Sequence, residues 1–169
     1  MTPHTTQQNP VRVLMVCMGN ICRSPTAQGV LEHLVEQQGL QNAVQVDSAG
    51  THSYHIGHPP DARSQQQALE RGYDLSAQRA RQLQRRDFDD FDWVLVMDDD
   101  NENRARALCP PEQQHKIRRL ASFCQQFNTQ DVPDPYYGGR EGFEEVLDLC
   151  EDACSGFLAF LHTQKPIQS

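Results

Sequence analysis

Val11-Arg12-Val13-Leu14-Met15-Val16 runs without a break into Cys17-Met18-Gly19-Asn20-Ile21-Cys22-Arg23-Ser24-Pro25, and this junction decides the fold. The valine-rich run alternates poorly, as strands buried on both faces of a parallel sheet do. Beyond the junction, Ala27, Val30, Leu31, Leu34 and Val35 recur at the i, i+3, i+4, i+7, i+8 spacing of one helix face. Ser24 is a good N-cap, and Pro25 suits the first helical position, where a missing N–H costs nothing. Residues 17–24 are therefore expected to form a tight loop from a strand's C-terminal end to a helix N-terminus. In α/β folds that is where anions bind.

The chemistry of the loop follows from its parts. Successive backbone N–H groups curling into a helix start form a concavity for a three-oxygen anion. Arg23 adds a planar fork able to grip two oxygens at once. Cys17 stands at the entrance under that positive field, and thiols at helix N-termini beside cations ionise near neutral pH. A thiolate beneath a bound phosphate is an in-line nucleophile whose product is a cysteinyl-phosphate. Gly19 permits a positive φ or a close backbone approach, and Asn20 tolerates left-handed backbone while its amide ties the loop to a neighbour. The Ser24 hydroxyl, besides capping, is placed to donate to the Cys17 sulfur. A lone cysteine at a strand end is usually a small buried hydrophobe; the strand before, the helix after, and Gly19, Asn20 and Ser24 between them favour the nucleophile.

The chain's 169 residues suit one domain, with residues 1–10 as a disordered lead-in and the folded unit over 11–164. A formal net charge of −8 disfavours nucleic-acid backbones and anionic membranes as partners. No apolar run approaches the ~20 residues that span a bilayer. The first ten residues lack the basic start and apolar centre of a signal peptide. Six scattered cysteines without a secretory signal suit reduced thiols and a cytoplasmic location.

Farther along, Gly39 is a plausible helix stop and residues 44–48 read as a second strand. The loop over 49–60 leaves that strand's C-terminal end and, in a parallel sheet, lies beside the Cys17 loop. Tyr54 offers a wall for an aromatic substrate. His52, His55 and His58 have neither a cysteine nor an acidic partner to complete a metal site, so surface histidines are the better expectation. A helix is expected over 61–71, closed by Gly72, and then a basic turn over 75–83 whose arginines are expected to be solvated. Trp93-Val94-Leu95-Val96-Met97 is a third strand. Asp98-Asp99-Asp100 after it suit either Mg²⁺ or the N-terminus of a helix over 101–108, and the helix is favoured because the Cys17 loop holds phosphate without a metal. A fourth strand is expected over 115–120, with Phe123 and Phe127 as core candidates. Pro133 and Pro135 forbid regular structure around Asp134 and make a rigid loop that presents one carboxylate, as a general acid requires. Phe143, Val146, Leu147, Cys150, Ala153, Cys154, Phe157, Leu158 and Leu161 mark one apolar face of a long last helix, where Cys150 and Cys154 are core residues and not zinc ligands.

Cys-Met-Gly-Asn-Ile-Cys-Arg-Ser-Pro resembles the active-site signature of the low-molecular-weight protein tyrosine phosphatases. The likeness extends through Asp-Ser-Ala-Gly-Thr at 47–51, Pro-Asp-Ala-Arg at 60–63, Ala-Arg-Gln at 80–82, Met-Asp at 97–98 and Asp-Pro-Tyr-Tyr at 134–137, in the family's order. The resemblance implies a single α/β domain with a four-stranded parallel sheet flanked by helices on both faces, acting on phosphotyrosine-containing protein without metal or cofactor. It implies Cys17 as nucleophile, Arg23 as phosphate clamp and Asp134 as acid and then base. The phosphate-binding loop would comprise Met18, Gly19, Asn20, Ile21, Cys22 and Ser24, with Ser24 stabilising the thiolate and Asn20 and Ser48 holding the loop. Gln78 stands where family members often carry histidine, and its amide, which can still bond Asn20, cannot carry charge. By the same resemblance Cys22 is the reversible disulfide partner of Cys17, Tyr54 and Tyr136 wall the substrate ring, and Tyr136 and Tyr137 match positions that some members carry phosphorylated. A monomer or weak self-association is expected.

Three other functions compete with this one. Arsenate reductases on the same scaffold need two further cysteines in a shuttle, and Cys109 has no convincing partner, Cys124 being nearest in sequence. Phosphoarginine phosphatases carry threonine before the second loop cysteine, where the bulk of Ile21 favours a phenyl phosphate. A module that binds phosphotyrosine without turnover would not need Cys17, Arg23 and Asp134 together.

Overall fold

The computed structural model describes residues 9–136 and 138–164. In chain order the elements are β1 (Val11–Cys17), α1 (Arg23–Gln37), β2 (Val44–Gly50), α2 (Ala62–Glu70), α3 (Asp87–Asp90), β3 (Trp93–Val96), α4 (Asp99–Leu108), β4 (Ile117–Arg119) and α5 (Arg140–Gln164). The four strands form one sheet in the order β2-β1-β3-β4, and every pairing is parallel.

The poor alternation of β1 has its reason in the layers. Val13, Met15 and Cys17 face the larger core, built with α1, α2 and α5, while Leu14 and Val16 face the smaller one, built with Phe88, Phe91, Ala105 and Cys109. Both sets are apolar because helices cover both faces of the sheet. Cys150, Cys154 and Phe157 on α5 have no exposed surface, and Phe123 and Phe160 meet Phe157 ring against ring. A β-carbon on Gly156 would collide with the Phe123 carbonyl, so only glycine lets that segment lie on α5.

Parallel strands bring their C-terminal ends to one rim. Cys17, Gly50, Met97 and Arg119 all stand there. The chain leaves β1 toward β2 on one side and returns to β3 on the other, so the crevice after β1 is the topological switch point.

Several boundaries differ from expectation. Helix α1 begins at Arg23 with Cys22 as N-cap and no side-chain cap, so Ser24 is its second residue and its hydroxyl is engaged elsewhere. Strand β2 continues to Gly50, Asp61 caps α2 from outside, and residues 111–116 form a 3₁₀ turn before β4. Phe127 is 43% exposed and not core: the amides of Gln125, Gln126 and Phe127 all bond the Asp152 carboxylate, which pins this segment on the surface of α5. Asn9 and Pro10 carry no regular structure. The rest of the lead-in, and Tyr137, lie outside the described residues. No helix of the described chain is long and apolar enough to cross a membrane.

Candidate active site

The loop after β1 is held from outside by its carbonyls. Cys17 O accepts from Thr51 N, Met18 O from His52 N, Ile21 O from Asp61 N and Cys22 O from Thr26 Oγ1. No peptide bond is cis among the described residues, so each N–H that follows such a carbonyl points the opposite way. The amides of Met18, Gly19, Cys22 and Arg23 are thereby turned to the loop's interior, toward the uncapped start of α1.

Asn20 carries the loop's positive φ, at 58°; Gly19 instead supplies close approach, because a β-carbon there would lie 2.9 Å from the His55 ring. The buried Asn20 amide fixes three neighbours. Its Nδ2 donates to Ser24 Oγ at 2.8 Å and Ser48 Oγ at 2.9 Å, and its Oδ1 accepts from Arg81 N at 3.0 Å. Ser48 then gives its own proton to Gln28 Oε1 at 2.7 Å. Ser24 Oγ accepts from Asn20, which leaves its proton for the Cys17 sulfur 3.1 Å away, and Ser24 N also reaches that sulfur, at 3.4 Å. Two donors from one residue thus converge on the sulfur. This bonding is also why Ser24 does not cap the helix.

Arg23 is 2% exposed. Its Nη1 bonds Asp98 Oδ2 at 2.6 Å and Val132 O at 3.2 Å, and its Nη2 lies 3.6 Å from Asp134 Oδ2. Burial opposes the guanidinium charge, but Cys17, Asp98 and Asp134 together outweigh it and hold the group above its ordinary value. Asp134 is kept in its loop by accepting Tyr136 N at 3.0 Å. The Val132 amide ties that loop to Met97 O at the end of β3. Cysteine and arginine from one loop thus meet carboxylates from two other stretches of chain, Asp98 and Asp134.

Around the rim, His52 stacks on Tyr54 at 5.0 Å, and His55 lies 6.4 Å from Tyr136. Tyr54 is 68% exposed. Ile21 packs under Tyr136 with Cys22, Ala80 and Phe143. Cys22 is buried, and burial pushes its thiol up to about 12; all six cysteines are free thiols. Among the described residues no group of three or more His, Cys, Asp or Glu is arranged to hold a metal ion.

Two expectations are corrected. Gln78 does not bond Asn20: its Nε2 donates to Pro25 O at 3.0 Å, and Asn20 Oδ1 is met by the Arg81 backbone instead. The arginines of the 75–83 turn are not all solvated either, since Arg81 binds both oxygens of the buried Asp87 and one of Asp47. Three contributors escaped the sequence reading. Asp98 caps α4 through Oδ1 as expected, but its second oxygen holds Arg23. Gln28 is a buried polar residue of α1, one turn beyond Ser24. Gly50 lets β2 touch the loop, for a β-carbon there would lie 2.8 Å from Met18 O; its place inside Asp-Ser-Ala-Gly-Thr was the available signal.

A parallel α/β sheet with a Cys-x5-Arg loop at its switch point and a carboxylate facing the arginine defines a class of phosphate-handling proteins. Comparison with known proteins narrows it. The family model described as low molecular weight phosphotyrosine protein phosphatase matches residues 12–167. A low molecular weight protein-tyrosine-phosphatase of Streptomyces coelicolor is 43% identical over 90% of this chain and 94% of its own. The crystal structure of a protein tyrosine phosphatase from Entamoeba histolytica superposes with a TM-score of 0.89 at 39% identity, covering 92% of this chain and 99% of that one. That of a Drosophila arginine phosphatase gives 0.81 at 35% identity over 88% and 96%. The chain belongs to the low molecular weight phosphotyrosine protein phosphatase family.

Proposed function

We propose that this chain hydrolyses phosphotyrosine in proteins through a cysteinyl-phosphate, with Cys17 as nucleophile, Arg23 as clamp and Asp134 as acid and base. The observation that carries the proposal is the convergence of Ser24 Oγ and N on the Cys17 sulfur at one end of the loop, with Arg23 facing Asp134 at the other.

The phosphoryl oxygens are received by the inward amides and the Arg23 fork, which balance the charge that spreads over them in the transition state. As the S–P bond forms, the bond from phosphorus to the phenolic oxygen breaks, and protonated Asp134 gives its proton to the departing phenol. The resulting carboxylate then takes a proton from water as the water oxygen attacks phosphorus. The S–P bond breaks, phosphate leaves, and the sulfur returns to its two donors at Ser24. Asn20, Ser48 and Gln28 keep Ser24 aimed throughout, while Cys22 stands as redox partner, held as a thiol by burial. The exposed Tyr54 and the half-buried Tyr136 are the walls between which a phenyl ring is received. Depth supports tyrosine over serine, since a flat phenyl phosphate reaches a buried sulfur and a short serine ester does not.

Phosphate release is to be measured from one peptide in phosphotyrosine, phosphoserine and phosphoarginine form, with EDTA and reductant present. Release from phosphotyrosine alone is expected, lost in Cys17→Ser with phosphopeptide binding retained. Preference for phosphoarginine, the substrate class in the name of the Drosophila relative, would keep the mechanism and overturn the substrate. Release by Cys17→Ser at the parent rate would overturn the nucleophile.

A further inference from the structure

The loop that carries Asp134 is tied to the fold by more than the site itself. At its Val132 end the amide bonds Met97 O, while the carbonyl shares Arg23, the group that must also meet phosphate. One residue earlier, Asp131 is held by an arginine from outside the site. Arg119 closes β4, the edge strand, on the same rim as Cys17. Its Nη1 donates to Asp131 Oδ1 at 2.6 Å and to Gln130 O at 3.4 Å.

The rest of that guanidinium is spoken for by α4. Nε donates to Glu102 Oε1 at 2.7 Å, and Nη2 bonds Asp99. Two carboxylates one turn apart on a helix therefore fix the plane of the fork, which leaves one edge for the loop. Pro133 stands between the latched pair and Asp134, and its ring fixes φ. What is set at 131 and 132 is therefore transmitted to the carboxylate at 134 with little slack. Asp131 is half exposed, and exposed ion pairs add little to stability. The contact is better suited to fixing a position than to holding the fold together.

We propose that Arg119 is a positioning residue for the acid step: it latches the loop so that Asp134 meets the leaving oxygen. The proposal rests on Asp134 being the general acid, and its test separates the two. The test measures kcat/KM, which reports the steps up to release of the phenol, for phenyl phosphate, a poor leaving group, and p-nitrophenyl phosphate, a good one. Asp134→Ala calibrates the experiment with a far larger loss on the phenyl ester, within the ~10²–10⁴-fold range of general acids. Arg119→Met is expected to lose about ten-fold on phenyl phosphate and under about two-fold on p-nitrophenyl phosphate, a fraction of that range. Inhibition by inorganic phosphate should be unchanged. Arg119→Lys, which keeps the charge and reach, should recover most of the loss. Asp131→Ala removes the loop's half of the ion pair, leaves the pairs to α4 in place, and should repeat the pattern of Arg119→Met even if that variant folds poorly. Equal losses on the two esters in Arg119→Met and Asp131→Ala, or no loss in either, would overturn the latch while Asp134→Ala still shows its selective defect. Equal losses in Asp134→Ala would instead refute the acid assignment, and the latch with it.

Discussion

Gly50→Ala tests how tightly the loop after β1 is seated. Gly50 is the last residue of β2 and is not among the positive-φ glycines, so alanine suits its backbone and the effect isolates one methyl group. That carbon would lie 2.8 Å from Met18 O, 3.1 Å from Asn20 N and 3.1 Å from Gly19 C. All three atoms are backbone, and none can swing aside as a side-chain tip would. Comfortable separations start near ~3.5 Å, so loop and strand must part by about 0.4 Å at Asn20 N and Gly19 C and about 0.7 Å at Met18 O, close to half an ångström on average. The parting strains the bonds from Thr51 N to Cys17 O and from His52 N to Met18 O, each 2.9 Å. It also displaces Asn20, whose amide aims Ser24 at the sulfur. Overpacking of this kind costs about 1–3 kcal/mol. A misplacement near ~1 Å can cost ~10²-fold in rate, so half of that should lower kcat/KM by about ten-fold. The assay is kcat/KM on a phosphotyrosine peptide with urea unfolding alongside. Gly139→Ala serves as control, because a β-carbon there meets nothing within 4 Å. If Gly50→Ala matched the control in rate and stability, the claim that β2 sets the loop's position would be wrong.

Asp98→Ala should be costly twice over. It strips a buried guanidinium of its 2.6 Å partner, worth about 3–5 kcal/mol for an uncompensated charge, and removes the α4 cap, worth about 1 kcal/mol. Asp98→Asn keeps a capping oxygen, so urea unfolding should place it between the parent and the alanine variant. Alkylation by iodoacetamide at pH 7, followed by peptide mass spectrometry, should mark Cys17 and be blocked by phosphate. Burial raises Cys22 and Cys124 each to about 12, so only about 10⁻⁵ of either thiol is ionised at that pH, and labelling of Cys22 first would contradict this. Asp152→Asn should destabilise by about 1 kcal/mol at pH 7. Burial raises the Asp152 pKa, but the amides of Phe127, Gln125 and Gln126 outweigh it and lower the carboxyl below its ordinary value. Its stabilisation is therefore present above the unfolded carboxyl pKa and lost as pH falls through the folded one. The gap between parent and variant should close on acidification; a gap that widened would contradict the bonding.

The four strands, the longer helices and the loop from β1 to α1 were legible in the sequence because each is a local pattern. The Val11–Cys17 run, the helix spacing after it and the proline-bracketed Asp134 need no knowledge of distant contacts. What was hidden depends on atoms brought together by the fold. Ser24 looks like an N-cap because serine caps helices, but here Asn20 and Cys17 compete for the same hydroxyl and the helix start remains free. Gln78 was placed against Asn20 by analogy with histidine, yet its amide donates to Pro25 O. Phe127 has the hydropathy of a core residue and is denied that place by the grip of Asp152 on its backbone.

The acidic triplet after β3 shows why such residues resist assignment from spacing alone. Asp98, Asp99 and Asp100 are consecutive and chemically identical, and one explanation, the helix N-terminus, accounts for all three. In the fold they serve three arginines: Asp98 meets Arg23 in the site, Asp99 meets Arg119 on the rim, and Asp100 meets Arg104 one turn along α4. The first bond compensates a buried charge, the last is an ordinary surface pair, and the middle one anchors the arginine that grips the loop of Asp134. An α-helix turns by ~100° per residue, so its first residues face three directions at once. Consecutive carboxylates at a helix start can therefore couple a buried arginine, a neighbouring loop and the helix itself without interfering with one another. Charge alone specifies none of this; the partners' positions, set by where β1 and β4 end and by the turn of α4 itself, specify all of it.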